Sequence, residues 1–230
     1  MNSINKTARL AGFLYLMVVP LGIFGSMYVP SKLIVFGNAA TTAKNLMASE
    51  ALFRLGIVSD LLAGIVMLLV VLVLYRLLKP VNRNMALLMV IFLLAGVSIG
   101  TLNKLNQLAA LLLLSGAEDL TVFTTEQLQT LALQFLRLHN QGSTIAYIFF
   151  GLWLFPLGYL VFKSGFLPRI LGVLLIVACF GFVIDSFAIL LGSREIIGPF
   201  ASAGEVLFLL WLLIKGVNAE QWEKRALEFS

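Results

Sequence analysis

The sequence is short of the residues that build soluble surfaces and reactive sites. Only 12% of its 230 residues are charged, and it contains one histidine and one cysteine. In soluble globular proteins about a quarter of the residues are charged. This chain therefore has too few charged residues to cover a surface in water. A single cysteine also excludes a disulfide within the chain. The low charge therefore excludes an ordinary soluble domain and indicates that lipid is the main solvent.

Hydrophobic residues make up 60% of the chain and are gathered in six long, continuous runs. A helix needs about 20 apolar residues to cross the hydrocarbon of a bilayer. Because lipid offers no hydrogen bonds to the backbone, a helix is the expected conformation of such runs. We therefore predict an all-α, polytopic transmembrane bundle that forms one domain over residues 1–230, with spans at about 10–28, 51–78, 85–115, 140–162, 168–192 and 199–214.

Lysine and arginine are distributed unevenly between the two sides of the predicted bundle. Ten of the sixteen lie on the side of the N-terminus, five lie on the opposite side, and Lys104 lies within the third span. Because cytoplasmic loops are rich in lysine and arginine, the asymmetry predicts that both termini are in the cytoplasm. The net charge of +5 is interpreted in the same way, and no nucleic acid partner is expected.

Three segments outside the spans have helical patterns of their own. Residues 38–50 are predicted to form a short helix on the membrane surface. Residues 124–138 begin with a threonine followed by Glu126, which is typical of a helix N-terminus and predicts an outward extension of the fourth span. Residues 216–230 are predicted to form an amphipathic cytoplasmic helix with Trp222 on its apolar face.

Two prolines lie inside predicted spans. Pro20 in the first span and Pro156 in the fourth are each followed by Leu-Gly, and both predict a kink. The first span also follows Lys6 and Arg9, as the apolar part of a signal peptide would. Its length and the lack of a small-residue cleavage motif favour an uncleaved helix.

Four ionisable residues, Asp60, Lys104, Asp185 and Glu205, lie inside predicted spans. Each costs about 2.5–3.5 kcal/mol in hydrocarbon on insertion scales. At about 1.5 Å per residue, all four lie between roughly 9 and 16 Å below the non-cytoplasmic boundary. We therefore expect one polar layer in the outer half of the bundle, in a cavity that opens outward.

Neutral polar residues fall in the same layer or at its mouth. Asn103, Lys104 and Gln107 lie on adjoining faces of one helix because they are three and four positions apart. The complete candidate set, predicted as a ligand-binding or intramembrane polar cluster, is Arg54, Asp60, Asn103, Lys104, Gln107, His139, Asn140, Asp185 and Glu205.

The cluster is compatible with more than one function. In a purely structural network, Lys104 would neutralise Asp60 or Asp185, Glu205 would pair with Arg54 or Arg137, and the pairs would specify helix packing. Such a protein would be a structural or regulatory subunit of another membrane protein. In a binding protein, which is the reading we favour, the cavity would take a small polar ligand, an ion or a lipid headgroup, with or without moving it across the membrane.

An intramembrane hydrolase or transferase centred on His139 and the acidic residues is the enzymatic alternative. The sequence has no H-E-x-x-H motif, paired cysteines, P-loop or dinucleotide fingerprint. We therefore assign no catalytic residue, metal ligand or cofactor. The lipid bilayer is the expected partner, and the oligomeric state is left open.

Several stretches of the sequence resemble a bacterial membrane family, domain of unknown function 4386 (DUF4386). They are residues 31–35, 53–61, 75–82, 158–172 and 204–218, which read SKLIV, FRLGIVSDL, YRLLKPVN, GYLVFKSGFLPRILG and GEVLFLLWLLIKGVN. The resemblance implies a multi-helix protein of the bacterial inner membrane. It supplies no activity, although Arg54, Asp60 and Glu205 fall within the matching stretches.

Overall fold

The computed structural model describes residues 3–116, 120–194, 196–197 and 203–229, and every regular element in that part of the chain is helical. The all-α prediction is confirmed. A π-helix, Ile23–Tyr28, follows the first α-helix. The α-helices are α1 (Ser3–Gly22), α2 (Val29–Leu33), α3 (Ala39–Ala48), α4 (Glu50–Leu78), α5 (Arg83–Leu114), α6 (Thr125–Leu152), α7 (Leu154–Ser164), α8 (Arg169–Leu190), α9 (Ala203–Ile214) and α10 (Ala219–Phe229).

Five helical segments are long and apolar enough to cross a membrane, as expected of a multi-pass membrane protein. They are Ser3–Leu33, Glu50–Leu78, Arg83–Leu114, Thr125–Ser164 and Arg169–Leu190. They contain the first, second and fourth predicted spans, and they match the third and fifth to within two residues at each end. The start of the predicted sixth span, residues 199–202, lies outside the described residues, as does residue 230. The described part of that span, α9, is about 18 Å long at 1.5 Å per residue, less than the roughly 30 Å hydrocarbon core.

The first span is longer than the sequence pattern predicted. Beyond Pro20 and Gly22 the α-helical pattern gives way to the π-helix, in which the Val29 N–H bonds the carbonyl of Phe24. The chain then continues as α2 to Leu33, past the predicted end of the span at residue 28. Pro30 does not end the helix, because it lies in the first turn of α2, where a missing N–H is tolerated.

Pro156 also lies beside a break in the α-helical pattern. Helix α6 ends at Leu152 and α7 begins at Leu154. Proline has no N–H to give the carbonyl four residues earlier, which here is that of Leu152. The interruption therefore falls where proline removes a helical hydrogen bond.

The three predicted flanking helices are present as α3, the N-terminal part of α6, and α10. Asn38 caps α3, where its side chain accepts a hydrogen bond from the N–H of Thr41 at 2.9 Å. Thr124 and Gln127 exchange reciprocal side-chain and backbone hydrogen bonds at the start of α6, which form a capping box. Both helix starts are set by residues that are three positions apart in the sequence.

Contacts divide the chain into two compact units. The first unit comprises residues 1–17, 65–98 and 144–230, and the second comprises residues 18–64 and 99–143. In the first unit, α7 and α8 are in close contact at Gly158 and Gly172, where an added Cβ would approach backbone atoms within 2.7 Å. The buried core of the second unit is apolar and consists of Val29, Leu33, Leu46, Phe53, Ile57, Ala110, Leu111, Ala132 and Leu136.

Candidate functional site

The second unit contains a buried ion pair between α4 and α5. The Lys104 ammonium donates to Oδ2 of Asp60 at 2.5 Å, and the Ser26 hydroxyl donates to Oδ1 at 2.9 Å. The side chains of Lys104 and Asp60 are only 14% and 8% exposed. Each charge has lost most of its solvent and depends on the other for neutralisation. We call Ser26, Asp60 and Lys104 the Asp60 site.

Gly25 allows the Asp60 carboxylate to approach the π-helix. A Cβ added at Gly25 would overlap that carboxylate and would lie 2.6 Å from the carbonyl oxygen of Gly56. The π-helix therefore supplies both the space for Asp60, at Gly25, and a hydroxyl donor, at Ser26. Single π-helical turns are rare and are frequent at functional sites.

Asn103 joins α5 to α6 one residue before Lys104. Its amide nitrogen donates to the main-chain oxygen of His139 at 2.7 Å and to the hydroxyl of Ser143 at 3.1 Å. The His139 ring lies with Nδ1 3.2 Å from the main-chain oxygen of Asn103. A Cβ at Gly142 would overlap the Asn103 amide, so the glycine makes room for this contact. The Asn103 side chain of α5 thus donates a hydrogen bond directly to the backbone of α6.

Gln107 lies one turn beyond Asn103 on α5 and is 3% exposed. Its Oε1 is buried and has no hydrogen-bond partner within the described residues. A buried acceptor left unsatisfied costs about 1–3 kcal/mol. Buried side-chain polar atoms are mostly satisfied by protein or by ordered water. A hydrogen-bond donor from water or a ligand would complete this position.

Asp185 and Glu205 belong to the first unit, and each has partners there. The Asp185 carboxylate accepts hydrogen bonds from the N–H groups of Ile196 at 2.6 Å and Ile197 at 2.9 Å. Glu205 accepts a hydrogen bond from the hydroxyl of Tyr15. The sequence predicted Arg54 or Arg137 as the partner of Glu205, whereas the partner seen is a neutral tyrosine.

The remaining two candidates lie on exposed parts of the second unit. Arg54 pairs with Glu50 one turn earlier on α4, with Nε 2.7 Å from Oε1, and both side chains are about half exposed. Asn140 lies on an exposed face of α6. Among the residues that the structure describes, no three histidine, cysteine or acidic side chains are grouped closely enough to hold a metal ion.

Sequence reasoning missed Ser26 and Tyr15. The predicted span ended at residue 28, which put Ser26 only two residues from the membrane boundary and well above Asp60. With the helix continuing to Leu33, Ser26 is seven residues from its end, a depth similar to that of Asp60. The apolar residues that follow Pro30 are the signal that would have placed it correctly.

A comparison with known protein families identifies the family of this chain. The family described as Domain of unknown function (DUF4386) matches residues 10–216. A protein of Archaeoglobus fulgidus, named only as an uncharacterized protein, is 37% identical over 145 residues, which cover 62% of this chain and 72% of the relative. No solved structure matches the chain. Because the family match covers nearly the whole sequence, this chain belongs to the DUF4386 family.

Proposed function

We propose that this membrane protein binds a small polar ligand at the Asp60 site, in a cavity that opens to the non-cytoplasmic side. The observation that carries the proposal is the direct pairing of Asp60 with Lys104 beside the Ser26 hydroxyl. The pair brings an ammonium and a carboxylate together among apolar helices, where charge is costly and usually serves a function.

The pair favours a ligand that carries charges of both signs. Removing one partner from a buried ion pair leaves an uncompensated charge, which is strongly destabilising. A singly charged ligand that displaced one partner would create that situation. A zwitterion with an ammonium and an anionic group replaces both partners at once. Gln107 lies about one turn from Lys104 on α5. Its buried Oε1 has no partner in the part of the chain that the structure describes, so it is available to accept a further hydrogen bond.

We further propose that the bundle has six spans and lies in the cell membrane with both termini in the cytoplasm. The sixth span would consist of α9 together with residues 199–202. The distribution of lysine and arginine supports this orientation, since Arg76 and Lys163 lie in the last turns of α4 and α7 at the proposed cytoplasmic ends. In this orientation, Asp60 and Lys104 lie in the outer half of the membrane.

A thermal-shift experiment with defined probes tests the proposed ligand class. The purified protein would be titrated with the zwitterions glycine and β-alanine, and with the singly charged acetate and methylammonium. A ligand that binds only the folded state raises the unfolding temperature in a concentration-dependent way. We expect stabilisation by at least one zwitterion and none by the singly charged probes.

The double variant Asp60→Asn/Lys104→Met separates binding from a structural role. It removes both charges together, so no unpaired charge remains, and replacing a buried pair in this way is often neutral for stability. We expect it to fold and to lose the response to zwitterions. Arg194→Gln changes an exposed residue of the first unit, outside the Asp60 site, and should keep the response. A wild-type protein that no zwitterion stabilises, or an unchanged response in the double variant, would refute the proposed function.

A further inference from the structure

A separate cleft of about 230 Å³ lies in the second unit, between α3, the start of α4 and the end of α5. Its lining is mostly apolar. Two of the lining residues, Leu46 and Leu111, are buried, with 0% and 7% of their surface exposed. A water molecule takes about 30 Å³ of liquid volume, so the cleft is much larger than one water or a simple ion requires. Its size and its apolar surface suit the binding of part of an alkyl chain.

Among the described residues that line the cleft, one carries a positive charge and one a negative charge. Arg54 and Glu50 both line it, and their side chains are 55% and 51% exposed. Their mutual ion pair is exposed and is made through Nε of Arg54, so it contributes little to stability and opens at little cost. The guanidinium has further N–H donors in a planar fork that matches phosphate.

An apolar floor together with Arg54 and Glu50 at the rim is typical of a site that binds an amphiphile. We propose that the cleft binds a phospholipid with a phosphoethanolamine headgroup. One acyl chain lies between Leu46 and Leu111, the phosphate binds Arg54, and the primary ammonium donates hydrogen bonds to Glu50. A choline headgroup has no N–H to donate to Glu50, and a glycerol headgroup has no cation to pair with it. The site is therefore selective for the ethanolamine lipid.

This lipid site shares no residue with the Asp60 site and stands independently of it. The charged residues of the cleft lie at the start of α4, and its α5 residues begin at Leu108, one turn beyond Lys104. Loss of lipid binding at Arg54 and Glu50 would leave the Asp60–Lys104 pair intact. The two proposals therefore fail or succeed separately.

Native mass spectrometry of the purified protein tests the lipid assignment. Dioleoyl-phosphatidylethanolamine, dioleoyl-phosphatidylcholine and dioleoyl-phosphatidylglycerol would be added in turn to the delipidated protein in detergent. We expect the ethanolamine lipid to form a one-to-one adduct at about tenfold lower concentration than the other two. Glu50→Gln should abolish this preference, and Arg54→Gln should weaken binding of all three lipids.

Two further variants act as controls. Arg225→Gln removes one member of another exposed ion pair, Arg225–Glu228 on α10, and should leave lipid binding unchanged. Leu111→Trp fills the cleft and should reduce adduct formation even though both rim charges remain. The proposal would be overturned by equal adducts with all three lipids, by a preference for phosphatidylglycerol, or by wild-type binding in Glu50→Gln. It would also be overturned if a second copy of the chain filled the cleft in a lipid-free dimer.

Discussion

The hydroxyl of Tyr15 donates a hydrogen bond to the carboxylate of Glu205, a residue 190 positions later in the chain. The Tyr15 ring also packs against Trp153, with centroids 6.2 Å apart. One turn earlier, a Cβ at Gly12 would lie 2.7 Å from the backbone nitrogen of Leu213, so α1 and α9 touch backbone to backbone. The acidic residue of α9 thus has a specific neutral donor on α1.

Removal of the Tyr15 hydroxyl should destabilise the first unit. Tyr15→Phe keeps the ring that packs against Trp153 but leaves the Glu205 carboxylate without its donor. The expected loss is about 1–3 kcal/mol, the cost of an unsatisfied buried polar group. Unfolding in mixed detergent micelles would measure it, with Tyr159→Phe as the matched control. Equal stability of the two variants would show that the hydrogen bond contributes nothing.

A methyl group at Gly25 should be far more disruptive than one at Gly22. Both residues lie in the first membrane span, but a Cβ at Gly25 would overlap the Asp60 carboxylate, whereas a Cβ at Gly22 meets nothing within 4 Å. We expect Gly25→Ala to cost about 1–3 kcal/mol through overpacking. Gly22→Ala should be neutral or slightly stabilising, because alanine favours helix over glycine. The same unfolding temperature for both variants would contradict the close approach of the π-helix to Asp60.

The Asp60–Lys104 pair should show strong coupling in a double-mutant cycle. Asp60→Asn and Lys104→Met each leave a buried charge unpaired, with an expected loss of about 3–5 kcal/mol per variant. The double variant should lose less free energy of unfolding than the sum of the losses in the two single variants. Free energies of unfolding for the four proteins would give the coupling energy. Additive losses would mean that the two charges do not neutralise each other.

Cysteine labelling would test the proposed topology. In a Cys179→Ala background, Ser49→Cys, between α3 and α4, should react with an impermeant maleimide in intact cells. Asn82→Cys, between α4 and α5, should react only after permeabilisation, because the basic loop that contains it is proposed to be cytoplasmic.

A third position tests the sixth span. Gln221→Cys in α10 should behave like Asn82→Cys, because six spans return the tail to the side of the N-terminus. Labelling of Gln221→Cys but not Asn82→Cys in intact cells would mean that α9 does not cross the membrane and that the protein has five spans. Labelling of Asn82→Cys but not Ser49→Cys in intact cells would show that the orientation is the opposite of the one proposed.

Local features of the sequence were sufficient to predict the helices. The capping box of Thr124 and Gln127 involves residues three positions apart, so the start of α6 could be located before any tertiary contact was known. The first span was less accurate. Its predicted end at residue 28 was too early, because the chain continues through the π-helix and α2 to Leu33.

Partner identity could not be predicted in the same way. Depth along a helix follows from the rise per residue, and it left Lys104 with three acidic residues at similar levels. The structure pairs Lys104 with Asp60, while Asp185 accepts from the backbone of residues 196–197 and Glu205 from Tyr15. Depth carries no information on how each helix is rotated or which helix lies beside it.

The sequence by itself determined that this chain is an all-α membrane protein and which polar residues are placed among its apolar helices. Hydrophobicity and helical periodicity are properties of short segments, so they can be read without knowing the fold. Only the tertiary structure decided that Gly25 and Ser26 contact Asp60 and that Lys104 pairs with it. It also decided that the buried Oε1 of Gln107 finds no hydrogen-bond partner among the described residues. These contacts depend on the rotation and neighbours of whole helices, which are set by packing between segments far apart in the chain.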